Sequence, residues 1–284
     1  MSKIIQWYPG HMQKAKRQMT EKMGLIDVVF ELVDARIPLS STNPYVSEII
    51  KDKPRVVLLN KSDKANEAKT KEWIKYFDSL GIVAVAINSL SGDGVSKITK
   101  GAKIALKEKI EKDKAKGLKE KAIRALIVGI PNVGKSTLIN RLASRRATKV
   151  GDRPGVTKTQ QWIKVGKELE LLDTPGILWN KFDEVETGYR LALTGAIKDE
   201  ILPVDDVVIY GINFYKEHHP ERIKKRYNVT DLEDPVDVLD QIGKSRGCIR
   251  GGQTDYEKVF TLFLNDVRGG LLGRITLDDV PIRE

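Results

Sequence analysis

Residues 125–142 read ALIVGIPNVGKSTLINRL, and this stretch decides the fold. Its first residues favour a buried strand, Gly129–Ser136 fits the phosphate-loop pattern GxxxxGKS, and a helical pattern follows. Glycines let the backbone N–H groups of such a loop converge on phosphate oxygens, and the helix dipole adds to the attraction. We therefore predict that Lys135 reaches the β- and γ-phosphates of a nucleotide and that the Ser136 hydroxyl binds Mg²⁺. The nucleotide-contacting residues predicted here are Asn132, Val133, Gly134, Lys135, Ser136 and Thr137.

Strands and helices alternate on both sides of this loop, which indicates a mostly parallel α/β sheet. The predicted strands are 26–34, 55–59, 82–87 and 125–130, followed by a hairpin of 160–166 and 167–173. Helices are expected at 12–23, 66–80 and 95–116. After Gly176 the pattern becomes helical, with helices at 184–200, 204–217, 219–228, 234–243 and 254–268. We expect an α/β domain at 1–180, with an N-terminal arm (1–24) and a basic linker (97–124), and a small all-α domain at 181–284 that contacts RNA.

The sequence Asn60-Lys61-Ser62-Asp63 directly follows the second predicted strand. A carboxylate at this position can accept hydrogen bonds from N1–H and the 2-amino group of guanine, whereas adenine would leave it unpaired. The pattern NKxD is common by chance, but it becomes specific beside a phosphate loop in the same sheet. Asn60, Lys61 and Asp63 are therefore predicted to bind guanine, and Asn88-Ser89, after the third strand, to touch the base through backbone N–H groups.

Two further segments are predicted to sense the γ-phosphate. Asp173-Thr174-Pro175-Gly176 follows the last predicted strand, so that Asp173 would hold Mg²⁺ through water and the Gly176 N–H would meet the phosphate. In the polar segment 151–159, Thr157 is predicted to close over Mg²⁺ and the γ-phosphate, with Thr159 as the alternative.

The order of these motifs differs from that of an ordinary GTPase, in which the phosphate loop comes first. Here NKxD and Asn88-Ser89 precede it, and DxxG closes the series. With the opening WYPGHM (7–12), this rotated set resembles the circularly permuted GTPases of the YlqF/YawG family over essentially the whole chain. The resemblance implies a permuted P-loop GTPase fold and a role in late assembly of the large ribosomal subunit, through contacts to ribosomal RNA. The DxxG loop would run straight into the helical domain, so loss of the γ-phosphate could act on residues 178 onward.

The residue after DxxG bears on hydrolysis. Many GTPases have a glutamine there to orient the attacking water, but this chain has Ile177, which predicts slow intrinsic hydrolysis. His11 is the candidate for that task, since the family resemblance implies a histidine of this N-terminal motif; a purely structural histidine is the alternative. The predicted catalytic residues are His11, Lys135 and Thr157. Asn132 resembles the asparagine that coordinates K⁺ in potassium-activated GTPases, which predicts K⁺ beside Mg²⁺.

The charge is unevenly distributed along the 284 residues. The formal net charge is +10, yet residues 1–180 hold 34 Lys/Arg against 19 Asp/Glu, and residues 181–284 hold 15 against 20. This pattern favours a polyanion such as RNA as a partner of the first part. One cysteine excludes a disulfide framework, and the absence of a signal-peptide core or a long apolar stretch predicts a cytoplasmic, monomeric protein without membrane contact.

Two other functions are compatible with parts of the sequence. An RNA-docking checkpoint, in which GTP sets affinity with little intrinsic hydrolysis, is favoured by Ile177; stimulation of GTP turnover by large subunits would separate it from a ribosome-activated GTPase. A small-molecule kinase would share the phosphate loop, but NKxD and DxxG argue against it, and a preference for ATP over GTP would be needed to support it.

Overall fold

The computed structural model describes residues 17, 20–50, 53–119, 121–143, 161–173, 184–199 and 203–282. The chain forms two compact units. The sheet unit contains Gln6–Lys181 and Thr276–Glu284, and the helical unit contains Phe182–Ile275.

The sheet unit is built on six strands in the order β3-β2-β1-β4-β6-β5. Neighbouring strands are parallel except β5, which pairs antiparallel with β6 as the predicted hairpin. The carboxyl ends of all strands but β5 therefore lie at one edge, where α/β sheets bind ligands. The strands are β1 (Val28–Asp34), β2 (Arg55–Asn60), β3 (Val83–Ala86), β4 (Ile123–Gly129), β5 (Gln161–Val165) and β6 (Leu169–Asp173).

Helices cover both faces of this sheet, which explains why all seven residues of β1 are buried. One apolar cluster joins Val29 and Leu126 to Ile49 on a helix, and another joins Val57 to Trp73 and Phe77. The helices of this unit are α1 (Pro44–Ile50), α2 (Glu67–Ser79), α3 (Lys97–Ala105), α4 (Lys107–Ala115) and α5 (Lys135–Leu142), with a 3-10 turn at Met23–Leu25.

The linker differs from its prediction as one helix over 95–116. It forms two helices that break at Leu106, whose φ of −100° and ψ of 10° leave the helical region. Leu106 is buried, whereas the residues of α4 are mostly charged and exposed, so the break lets one apolar side chain reach the core. Helix α1 is short, and the sequence pattern did not predict it.

The helical unit contains five helices within the described residues. They are α6 (Val185–Leu193), α7 (Val204–His218), α8 (Pro220–Tyr227), α9 (Pro235–Arg246) and α10 (Tyr256–Gly269). A two-stranded hairpin, β7 (Ile249–Arg250) and β8 (Gln253–Thr254), precedes α10, and Gly251 and Gly252 form its turn with φ of 59° and 84°. Among the described residues, none of the helices has the length and apolar character needed to cross a membrane.

The end of the chain departs from the predicted helical domain at 181–284. From Thr276 onward the chain rejoins the sheet unit. The Leu277 N–H donates to the Arg36 carbonyl (2.7 Å), and the buried Asp278 carboxylate accepts hydrogen bonds from Ser40. These contacts hold the final residues against the loop that follows β1, a long-range pairing that local sequence patterns do not reveal.

Candidate nucleotide-binding site

The predicted nucleotide motifs meet at the carboxyl edge of the sheet. Strand pairing places Asp34 beside Asn60 and Leu32 beside Gly129, so β1 lies between the phosphate loop and the NKxD loop. Strand β3 leads to Asn88 next to β2, and β6 ends at Asp173 next to β4. The permuted order in the sequence thus gives loops that are neighbours in space.

The phosphate loop is held in a tight turn by its own residues. Gly134, the residue before α5, has φ of 105°, and a Cβ at this position would lie 2.3 Å from Asn60 Nδ2. The Lys135 ammonium is buried and donates to the carbonyls of Gly129 (3.1 Å) and Ile130 (2.9 Å). Helix α5 begins at Lys135, so the positive end of its dipole faces the loop.

Asn60 joins three loops through one side chain. Its Nδ2 donates to the Val133 carbonyl in the phosphate loop (2.7 Å), and its Oδ1 accepts from the Ser89 N–H after β3 (3.0 Å). Asn60 is buried, so losing either partner would leave a polar group unsatisfied. The first residue of NKxD therefore fixes the phosphate loop and the base-side loops relative to each other.

The base-side loops leave Asp63 exposed. Lys61 takes a left-handed φ of 58°, and the Ser62 N–H donates to the Ile87 carbonyl (3.2 Å), which ties the NKxD loop to the end of β3. Asn88 Oδ1 accepts from the N–H groups of Leu90 (2.8 Å) and Ser91 (3.1 Å). In the structure the Ser89 N–H donates to Asn60. The expected contact of the Asn88-Ser89 N–H groups with the base stays a prediction.

Asp34 and Arg36 belong to this site, although the motifs did not reveal them. Arg36 donates from Nε (2.9 Å) and Nη2 (2.7 Å) to the buried Asp34 carboxylate, and the Lys61 ammonium lies 2.9 Å from the same carboxylate. Burial alone would raise the pKa of Asp34, but Arg36 and Lys61 hold it well below its usual range. The sequence carried one signal for this cluster: Asp34 ends the apolar run 26–34. A carboxylate buried at that position requires charged or hydrogen-bonding partners.

Several predicted site residues lie outside the described residues: His11, Thr157, Thr159, Gly176 and Ile177. For Asp173 the structure shows that the backbone ends β6. The functional roles of all these residues, Asp173 included, stay predictions. Lys135, Ser136 and Thr137 form the first turn of α5, next to the phosphate loop as expected.

Comparison with known proteins identifies the family. The profile of the 50S ribosome-binding GTPase family matches residues 124–239, beginning within the strand that leads into the phosphate loop. Ribosome biogenesis GTPase A of Bacillus cereus is 58% identical, covering 97% of this chain and 94% of that protein. Its counterpart in Thermotoga maritima is 33% identical, covering 96% of this chain and 94% of that protein.

Solved structures agree with the permuted fold. GNP-bound YlqF from T. maritima aligns with a TM-score of 0.66 at 27% identity, covering 93% of this chain and 97% of that one. The fold class predicted from sequence, a circularly permuted P-loop GTPase with a helical C-terminal region, is confirmed. With its phosphate loop and NKxD loop assembled at one sheet edge, the chain belongs to the ribosome biogenesis GTPase A family.

Proposed function

We propose that this GTPase is a switch that promotes late assembly of the large ribosomal subunit and binds ribosomal RNA in a nucleotide-dependent way. The observation that carries the proposal is the shared edge of the sheet, where Asn60 ties the phosphate loop to the base-side loops. The similarity to ribosome biogenesis GTPase A and to the 50S ribosome-binding GTPase family supports the ribosomal role.

Guanine recognition is assigned to the NKxD loop. Asp63 is exposed beside a loop held by Lys61 and Ser62, so its carboxylate is available to a guanine base. A base without donors at these positions would leave Asp63 unpaired once the site closes, which disfavours adenine nucleotides.

Mg²⁺ fits the oxygen groups at the phosphate side. Ser136 is the second residue of α5, which follows β4, and Asp173 ends the adjacent strand β6, so a hydroxyl and a carboxylate come from neighbouring elements. Magnesium prefers oxygen ligands together with substrate phosphates, and it would neutralise charge that develops on the γ-phosphate. We assign Ser136, Thr157 and Asp173 to Mg²⁺, the last through water, and Asn132 to K⁺.

The protein groups proposed for hydrolysis act by position and charge. Lys135 places a positive charge at the β- and γ-phosphates, Thr157 closes over them, and His11 orients the attacking water. Ile177 cannot accept a hydrogen bond, so we propose that the large subunit stimulates a slow intrinsic reaction.

The basic linker supports an RNA partner through those of its basic side chains that are not paired with carboxylates. Lys103, Lys109 and Arg124 pair with Glu168, Asp27 and Glu170. Lys112 lies 3.8 Å from the Glu108 carboxylate. The remaining lysines of α3, α4 and the following residues are exposed, with no carboxylate within 4 Å among the described residues. Those lysines, together with residues of the helical unit, are the proposed RNA contacts.

The test is GTP turnover and co-sedimentation with purified large subunits, in GDP and in a non-hydrolysable GTP analogue. We expect strong stimulation of turnover by the subunits and association that depends on the nucleotide. Nucleotide-dependent association without stimulation would favour the checkpoint function instead. Association that is independent of nucleotide would contradict the switch.

A further inference from the structure

The last described residues of the chain contact the guanine side of the site. After the helical unit, Thr276–Val280 returns to the sheet unit as a segment that we call the C-terminal strap. Its Leu277 N–H donates to the Arg36 carbonyl (2.7 Å). Its Asp278 carboxylate accepts from the Ser40 N–H (2.8 Å) and the Ser40 hydroxyl (2.7 Å). The strap thus holds the loop that follows β1 at two positions, Arg36 and Ser40.

The same strap reaches the helix that follows NKxD. The Thr276 hydroxyl oxygen accepts a hydrogen bond from the Asn66 N–H (3.2 Å), and Asn66 is the residue that caps α2. Lys69, in the first turn of α2, lies 3.0 Å from the Asp279 carboxylate, and Val280 packs against the apolar cluster that contains Trp73. The far end of the NKxD loop is therefore held by the strap.

These contacts converge on Lys61 and Asp63. Arg36 accepts from the strap with its carbonyl and binds Asp34 with its guanidinium, and Asp34 in turn pairs with Lys61 (2.9 Å). Asp63 lies between Lys61 and Asn66, which are both positioned through this network. Asp278 is 1% exposed, so its carboxylate needs these hydrogen bonds to remain buried. A surface tail without a role would not require a buried carboxylate.

We propose that the C-terminal strap is a positioning element for guanine recognition, acting on Asp63 through the loops on either side of it. The inference rests on the proposed function, since it assumes that Asp63 binds the 2-amino group and N1–H of guanine. The strap contacts reported above lie on the guanine side and not in the phosphate loop. Loss of the strap should therefore weaken the base contact more than the phosphate contact.

The experiment compares GDP with inosine diphosphate, which lacks only the 2-amino group. Their dissociation constants are measured by displacement of a fluorescent GDP from the full-length chain. We expect Asp278→Ala to raise the dissociation constant of GDP by about tenfold and to reduce the preference for GDP over inosine diphosphate. Asp237→Ala removes an exposed carboxylate outside the strap and should change both constants by less than about twofold.

A second variant keeps the test decisive if Asp278→Ala does not fold. Thr276→Val preserves the side-chain shape and removes the acceptor for the Asn66 N–H, and we expect the same loss of preference in smaller degree. The inference would be overturned if either variant folds and the ratio of its dissociation constants for GDP and inosine diphosphate equals that of the wild type. A wild-type chain that binds ADP as tightly as GDP would instead overturn the proposed function, so the two failures are distinguishable.

Discussion

Gly134 is required by a neighbour as well as by its backbone conformation. A Cβ would lie 2.3 Å from Asn60 Nδ2, the group that donates to the phosphate loop, and the φ of 105° is unfavourable for other residues. We expect Gly134→Ala to displace the Asn60 amide and to weaken GTP binding by at least about tenfold, because two loops lose their connection.

Gly166→Ala is the matched control for this prediction. Gly166 also has a positive φ, 59°, but no atom of the described residues lies within 4 Å of its added Cβ. It should cost about 1 kcal/mol of stability and leave GTP affinity unchanged. Calorimetric titration with GTP and GDP checks both variants, and equal losses of affinity would contradict the role given to the Asn60 contact.

The Asp34 carboxylate stabilises the folded chain because it is paired there with Arg36 and Lys61. Its pKa lies below the unfolded value of about 3.9, so its contribution to stability is fully present above about pH 4 and is lost as the pH falls further. Asp34→Asn leaves Arg36 and Lys61 without their buried partner, and we expect it to destabilise the sheet unit by about 3–5 kcal/mol. The loss should be constant from pH 8 to 5 and shrink below pH 4.

Urea unfolding followed by tryptophan fluorescence measures this effect. Asp78→Asn, on the exposed face of α2, serves as the control and should stay within about 0.5 kcal/mol of the wild type. A difference between wild type and Asp34→Asn that stays constant as the pH falls below about 4 would show that the pKa of Asp34 is not depressed.

Among the elements, α8 depends on one carboxylate of α10. Asp266 is buried and accepts from Arg226 (2.8 and 3.0 Å) and from the Tyr227 hydroxyl (2.9 Å). Helix α8 has eight residues, of which Ile223 and Tyr227 are buried, so it has little apolar area with which to dock. Asp266→Ala should destabilise the helical unit by about 3–5 kcal/mol.

The positions of the tryptophans allow unfolding of the helical unit to be measured separately from unfolding of the sheet unit. All four, at positions 7, 73, 162 and 179, lie outside Phe182–Ile275. Thermal unfolding of Asp266→Ala should therefore show an earlier loss of helix by circular dichroism, with the transition in tryptophan fluorescence little changed. Asp237→Ala, at an exposed position of α9, should cost less than about 1 kcal/mol. Parallel shifts of both signals would indicate that the two units unfold together.

The sequence predicted elements better than it predicted their long-range contacts. Buried parallel strands are continuous apolar runs, so β1, β2 and β4 were found within a few residues, and the motifs at their ends located Asn60, Asp63 and Lys135. The sequence pattern did not predict the break at Leu106 or helix α1, because both depend on where apolar side chains meet the core. Asp34 and Asp278 were missed for a related reason, since their partners are apparent only after folding.

For the molecule as a whole, the path of the chain links the helical unit to both sides of the nucleotide site. The chain runs from β6, which ends at Asp173, into the helical unit, and it returns at Thr276 beside Asn66. A change on the γ-phosphate side and a change on the guanine side could thus each act on the same unit through its covalent ends. Circular permutation produces the first connection, and the strap produces the second.

The net charge also has to be interpreted after folding, because part of the basic linker is neutralised. A groove of about 760 Å³ is lined by α3, α4, the 3-10 turn and the start of β4. We expect that exposed lysines of this groove without a carboxylate within 4 Å among the described residues dominate RNA binding, because paired lysines have less charge to offer to phosphates. Three of these lysines, Lys114, Lys119 and Lys121, belong to the basic linker, and the fourth is Lys167.

The prediction compares two triple variants with equal loss of charge. Replacing those three lysines by glutamine should weaken binding to ribosomal RNA and lower the slope of log K against log salt by about 2, since each phosphate contact contributes about 0.7–0.9. The matched triple, Lys103, Lys109 and Lys112 to glutamine, removes lysines that face Glu168, Asp27 and Glu108 and should change the slope by less than about 1. Filter binding across a KCl series measures both. Equal slopes in the two variants would mean that diffuse net charge, and not this groove, attracts the RNA.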